Sequence, residues 1–136
     1  MAMEPMLAIL YRSEALAAEG GDADAAILHE ARERNASCSV TGFLYRESNI
    51  FYQWLEGPAA AVTEIFTSIA ADPRHQDVHK LGEIPITGRY FSSWSMGYER
   101  NPDVSLFDWA AENGVSLLTV RPEEILRFLL HCAWRE

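Results

Sequence analysis

Six residues near the middle of the chain, Ile50-Phe51-Tyr52-Gln53-Trp54-Leu55, constrain the fold more than any other stretch. Side chains alternate across a strand, so Phe51, Gln53 and Leu55 share one face and Ile50, Tyr52 and Trp54 the other. Both faces are apolar. The strand is therefore central, and Gln53 is buried. An unpaired buried amide costs about 1–3 kcal/mol, so something polar lies beside it. A core glutamine satisfied by its neighbours meets that need, as does a functional one; the strand alone favours the former.

The flanking sequence supplies the rest of the sheet. Met6 to Tyr11 reads as a buried strand, with Leu7, Ile9 and Leu10 in near succession. Glu19-Gly20-Gly21 breaks the chain, and Asp22 or Asp24 caps a helix running to about Asn35, with Ala23, Ile27 and Ala31 on its apolar stripe. Cys38 to Tyr45 alternates as a second strand, Arg46 to Asn49 turns, and Ile50 to Leu55 completes a hairpin. Gly57-Pro58 opens a second helix, Val62, Ile65, Phe66 and Ile69 recur at helical spacing, and Asp72-Pro73 ends it. Val78 to Ile86 and Tyr90 to Tyr98 read as two more strands. This order predicts an α+β, ferredoxin-like sandwich: a five-stranded mixed sheet with two helices on one face. Asn101-Pro102 marks a boundary between residues 1–100 and a tail, 101–136. The tail carries helical patterns over Ser105 to Asn113 and Pro122 to Trp134, expected to pack on the sheet or on a partner.

Composition narrows the function classes. Of the 136 residues, 11 are Lys or Arg and 20 are Asp or Glu, a formal charge of -9. Such a chain repels phosphate backbones and anionic lipid, so nucleic acid and membrane surfaces are not expected partners. The same acidity also serves solubility. Cys38 and Cys132 are too few and too far apart for a disulfide framework, which fits a reducing, cytoplasmic setting. No apolar run approaches the ~18 residues needed to span a bilayer, and no secretory signal is expected at the N-terminus.

Several polar residues stand out against this background. Tyr11 ends the first strand on the face of Leu7 and Ile9; with that strand parallel to the third, it approaches Gln53 on the helix-covered side. A phenol hydrogen-bonded to an amide in a core relays protons, or is simply a buried tyrosine with its hydroxyl satisfied. Asn35 closes the first helix, as a C-terminal cap or as a ligand contact. Arg74-His75 follows the second helix in what reads as a solvated turn. His75 and His79 lack the Cys or carboxylate cluster of a metal site, so no metal is expected. No Ser-His-Asp arrangement, phosphate loop or Gly-x-Gly-x-x-Gly element is found.

Taken in order, five segments resemble the BLUF family, the sensors of blue light using FAD. They are Tyr11-Arg12-Ser13; Asn35 leading to Val40-Thr41-Gly42; Phe51 to Gly57; Asp72-Pro73-Arg74-His75; and Phe91-Ser92-Ser93-Trp94-Ser95-Met96. The resemblance runs from about Leu7 to Tyr98. It implies FAD held between the two helices, its ring edge toward the sheet. Tyr11 would then be the electron and proton donor, with Gln53 bridging it to the flavin. Asn35 would bind the ring's polar edge, Arg74 and His75 its other side, and Ile27 and Ile69 would form apolar walls. Arg34, Phe51 and Asp72 complete the implied cofactor-binding set, with the role of Arg34 open. Ala31 stands where some members carry serine. Trp94 and Met96 would relay the signal. The same resemblance implies no enzymatic turnover and a separate downstream signalling protein; a homodimer or larger homo-oligomer is the default symmetric expectation, with Trp109 and Trp134 either anchoring a contact or packed on their own sheet. Two other readings are an acylphosphatase-like enzyme using Arg12 and Asn35, and a cofactor-free interaction module. Against the first, the phosphate-cradling loop is missing and Glu14 would repel the anion.

Overall fold

A computed structural model describes residues 5–16, 21–73, 75–92, 97–99, 105–116 and 121–133, without the side chains of 23, 75 and 97–99. Strand β1 (Met6–Ala15) leads to helix α1 (Asp22–Ser37), then strands β2 (Thr41–Glu47) and β3 (Ile50–Pro58). Helix α2 (Ala59–Ala70) and strands β4 (His75–Ile86) and β5 (Gly97–Glu99) follow, then helices α3 (Leu106–Glu112) and α4 (Pro122–Ala133). The sheet order is β4-β1-β3-β2-β5. Four long strands pair antiparallel, and three residues of β5 run parallel to β2 at the edge.

The ferredoxin-like α+β architecture matches the expected order of elements, but three details differ. Strand β1 is antiparallel to β3, not parallel. The α1 crossover makes β1 parallel to β2; β3 reverses in the hairpin and inserts between them, so it opposes both. Strand β1 also continues past Tyr11 to Ala15, which places Tyr11 within the strand. Of the fifth strand expected over Tyr90 to Tyr98, residues 90–92 are not in the sheet, Gly97–Glu99 form β5, and residues 93–96 lie outside the described residues. The physical reason lies at its start, where the Tyr90 and Phe91 N–H groups donate to the Glu56 carboxylate instead of to a neighbouring strand.

Smaller corrections concern the helix ends. The cap at the α1 N-terminus is Gly21 and makes no side-chain bond, so neither Asp22 nor Asp24 caps it. Helix α1 runs through Asn35 to Ser37, with Cys38 as its C-cap. Arg46, expected in the turn, is the sixth residue of β2, and its side chain is buried.

The pleat separates two cores. On the helix face, Ile9, Tyr11, Leu44, Phe51 and Leu55 meet Val62, Ile65 and Ile69 of α2. On the other face, Ala8, Leu10, Phe43, Tyr45 and Trp54 meet Ile125, Phe128 and Leu129 of α4. The Phe128 ring stands edge-on to Tyr45 at 4.7 Å. Burying such side chains on both faces contributes about 1.5–3 kcal/mol each. Strands β2 and β3 approach so closely that a side chain at Gly42 would meet the Trp54 carbonyl oxygen at 2.0 Å. No helix among the described residues is long and apolar enough to cross a membrane.

Candidate functional site

The register of β1 on β3 sets Tyr11 directly opposite Gln53. Both point to the helix face, as the alternation requires, and both are buried, Tyr11 at 0% and Gln53 at 3% exposure. Tyr11 Oη donates to Gln53 Oε1. Burial pushes the Tyr11 phenol well above its ordinary range; the nearby Arg34 charge opposes that shift and Asp72 adds to it. The phenol is therefore neutral and keeps its proton for the amide.

Above the pair, α1 and α2 frame a cavity of about 20 Å³ lined by Tyr11, Gln53, Ile27, Arg34, Ile69 and Asp72, together with Glu30 and Ala31. Ile27 and Ile69 come from different helices and face the same space, as their stripes predict. Arg34 is only partly buried, and desolvation lowers its pKa from the ordinary value while leaving a guanidinium charged. Its Nε donates to Asn35 Oδ1 at 3.3 Å. Asn35 is fully buried, and its main-chain oxygen accepts from the N–H groups of Cys38 and Val40. The site thus joins apolar walls to a polar floor.

Not every expected residue falls there. Phe51 sits in the helix-side core but does not line the cavity, the Arg46 guanidinium covering its ring at 5.1 Å, and Asn35 lines a separate cavity with Val40, Thr41 and Arg89. Arg74, Trp94, Met96 and Trp134 lie outside the described residues, as does the side chain of His75, which begins β4.

Three features escaped the sequence reading. The Phe66 ring lies 5.6 Å from that of Tyr11, and the Lys80 ammonium sits 5.7 Å from the Phe66 centroid on its side. The helical spacing of α2 already placed Phe66 on the inner stripe, so the signal was present. Glu30 reaches the cavity from one turn before Arg34, a placement only the helix orientation reveals. Arg46 Nη1 donates to Asp24 Oδ1 in a buried ion pair that fastens the start of α1 to β2. Nothing in their spacing of 22 residues announces that pair.

A larger cavity, about 410 Å³, lies on the opposite face between Trp54, Ile86, Tyr90 and Leu126. It contains no buried phenol–amide pair, so chemistry favours the smaller space.

Comparison with known proteins agrees with this geometry. The BLUF family model, "Sensors of blue-light using FAD", matches residues 6–97. The photoactivated adenylate cyclase subunit beta of Euglena gracilis is 34% identical over 112 residues, covering 76% of this chain and 13% of that protein. The chain thus spans a small fraction of the curated relatives it matches. Among solved structures, BlrB, a BLUF protein in its dark state, superposes with a TM-score of 0.80 at 30% identity, over 98% of this chain and 99% of that one. BlsA in its photo-activated state gives 0.78 at 28% identity, over 93% and 94%. The chain belongs to the BLUF family.

Proposed function

We propose that this chain binds FAD between α1 and α2 and senses blue light through the Tyr11–Gln53 pair. The observation that carries the reading is the buried hydrogen bond between the two side chains. The residues present suit a flavin ring, which is apolar on its faces and polar along one edge. Ile27, Ala31 and Ile69 offer apolar surface to the cavity and Gln53 and Arg34 offer hydrogen-bonding groups, with the buried Asn35 accepting from Arg34 behind them. A tricyclic ring exceeds the present space of about 20 Å³, so entry requires the helices to part.

When bound, FAD would supply the absorption of blue light and the acceptor for one electron and one proton. Tyr11 is the donor of both, its proton leaving from Oη along the hydrogen bond it already makes. Gln53 carries the switch. Its Oε1 now accepts from Tyr11, and a changed rotamer or tautomer of the amide exchanges a donor for an acceptor at the site. When the electron and the proton both return to Tyr11, the amide remains rearranged, and the cycle closes as it relaxes. Asn35 and Arg34 hold the ring's polar edge, with Asp72, Arg74 and His75 at the α2 end. Phe51 supports the floor from within the core. Nothing is consumed.

The sensor unit covers residues 1–100, and 101–136 forms an extension. Output passes through Trp94 and Met96 to a separate cytoplasmic signalling protein, within a homodimer or larger homo-oligomer. The test is an absorption spectrum of the purified chain with FAD, before and after blue light. A reversible red shift of the flavin band is expected; a chain that folds yet refuses FAD overturns the reading.

A further inference from the structure

Glu56 is buried without an ionic partner among the described residues, yet its carboxylate accepts from donors on three segments. Oε1 takes the Trp54 indole N–H at 3.0 Å and the Tyr90 amide at 2.9 Å. Oε2 takes the Thr41 hydroxyl at 2.8 Å and the Phe91 amide at 2.7 Å. Thr41 stands opposite Glu56 in the β2–β3 register. Arg89 closes the arrangement, donating to Thr41 Oγ1 at 3.0 Å and to the Ser39 carbonyl at 2.6 Å. Hydrogen bonds to a carboxylate are short and about twice as strong as neutral ones, so this joint is stiff.

Its placement matters more than its strength. Trp54 follows Gln53 on β3 and faces the other core. Trp54 and Phe91, both linked to Glu56, belong to the same apolar cluster as Ile125, Phe128 and Leu129 of α4. The Trp54 and Tyr90 rings meet edge-on at 5.8 Å. The geometry points to Glu56 as a positioning residue that transmits a change at Gln53 through Trp54 to the segment after β4 and to α4. This rests on the function proposed above and adds the route by which the amide's rearrangement crosses the sheet.

Glu56→Gln keeps the shape but replaces one acceptor oxygen by an amide group. With that group toward Oε2's partners, the Thr41 hydroxyl turns to accept and the Phe91 N–H loses its acceptor. The opposite orientation strands two N–H donors and is worse. The experiment is amide hydrogen exchange across α4, in light and in darkness, on the full chain loaded with FAD, beside its absorption spectrum. In the unsubstituted chain, light produces the red shift and changes α4 exchange. In Glu56→Gln the red shift persists, while the light–dark difference in α4 falls about fivefold or more. Thr41→Val lowers it less, and Thr41→Ser restores it. Should Glu56→Gln fail to fold, Trp54→Phe, which removes one donor, is expected to reduce the difference while sparing the shift. An undiminished α4 response in the variants overturns the transmission role, and so does loss of the red shift with FAD still bound. Absence of the shift in the unsubstituted chain instead overturns the light-sensing reading itself.

Discussion

Helix α2 buries Val62, Ile65 and Ile69, whereas α1, on the same face of the same sheet, buries Asp24, Ala31 and Asn35 and leaves Ile27 and Leu28 half-exposed. One helix is held by a continuous apolar stripe. The other is held near its start by a buried ion pair and has little apolar surface against the sheet between its ends. The difference teaches where a ligand belongs. A helix that completes its own packing has nothing to gain from a guest, while one with a half-used inner face gains apolar contact when a flat ring slides beneath it.

That contrast breaks most sharply at the ion pair. Asp24→Ala removes the carboxylate facing the buried Arg46 guanidinium and is expected to cost about 3–5 kcal/mol in urea unfolding. A cost near zero would mean that α1 is held by something else. Ile65→Ala empties space under α2 and is expected to cost about 2–4 kcal/mol, the same with or without FAD. FAD-dependence there would erase the distinction between the helices.

The next effect sits on the floor between them. Tyr11→Phe removes the phenol donor to Gln53 Oε1 and is expected to cost about 1–3 kcal/mol while abolishing the red shift with flavin retained. A normal photocycle in that variant removes Tyr11 as donor. The same phenol sets a pH dependence. Its folded pKa is raised, so above pH about 10 the unfolded chain releases the proton first and binds fewer protons than the folded one. Stability then falls with rising pH by about 1.4 kcal/mol per unit for this one group. Tyr11→Phe should flatten the curve by that amount, and an unchanged slope would show that the phenol ionises freely in the folded protein.

The smallest effect sharpens the comparison best. Ile27→Ala is expected to cost about 1 kcal/mol in the free chain, because the side chain is only half-buried. The cost should rise when FAD is present, through the lost ligand contribution to stability. Equal costs in the two states would place the ring away from α1.

Much of this was legible in the residues themselves. The period of two in β3 sorted Gln53 from Trp54 onto opposite faces, and the same rule put Tyr11 on Gln53's side. The stripe of α2 was equally plain. What stayed hidden depended on distance in space. The direction of β1 relative to β3 follows from where the hairpin inserts, which periodicity does not encode. Asp24 resembled a cap and Arg46 a turn residue, because each alone has an ordinary local use; only the fold brings them together. Tyr90 and Phe91 had the composition of a strand, and a carboxylate on β3 took their amides instead.

The sheet is a single layer, with successive residues of β3 belonging to opposite compartments. Gln53 and Trp54 are joined by one peptide bond, yet the first abuts the cavity and the second abuts α4's apolar cluster. The far compartment can therefore be rebuilt, side chain by side chain, to answer a different recipient without altering an atom of the phenol and amide. Under the proposed function, what detects and what speaks are neighbours in the chain and strangers in their surroundings.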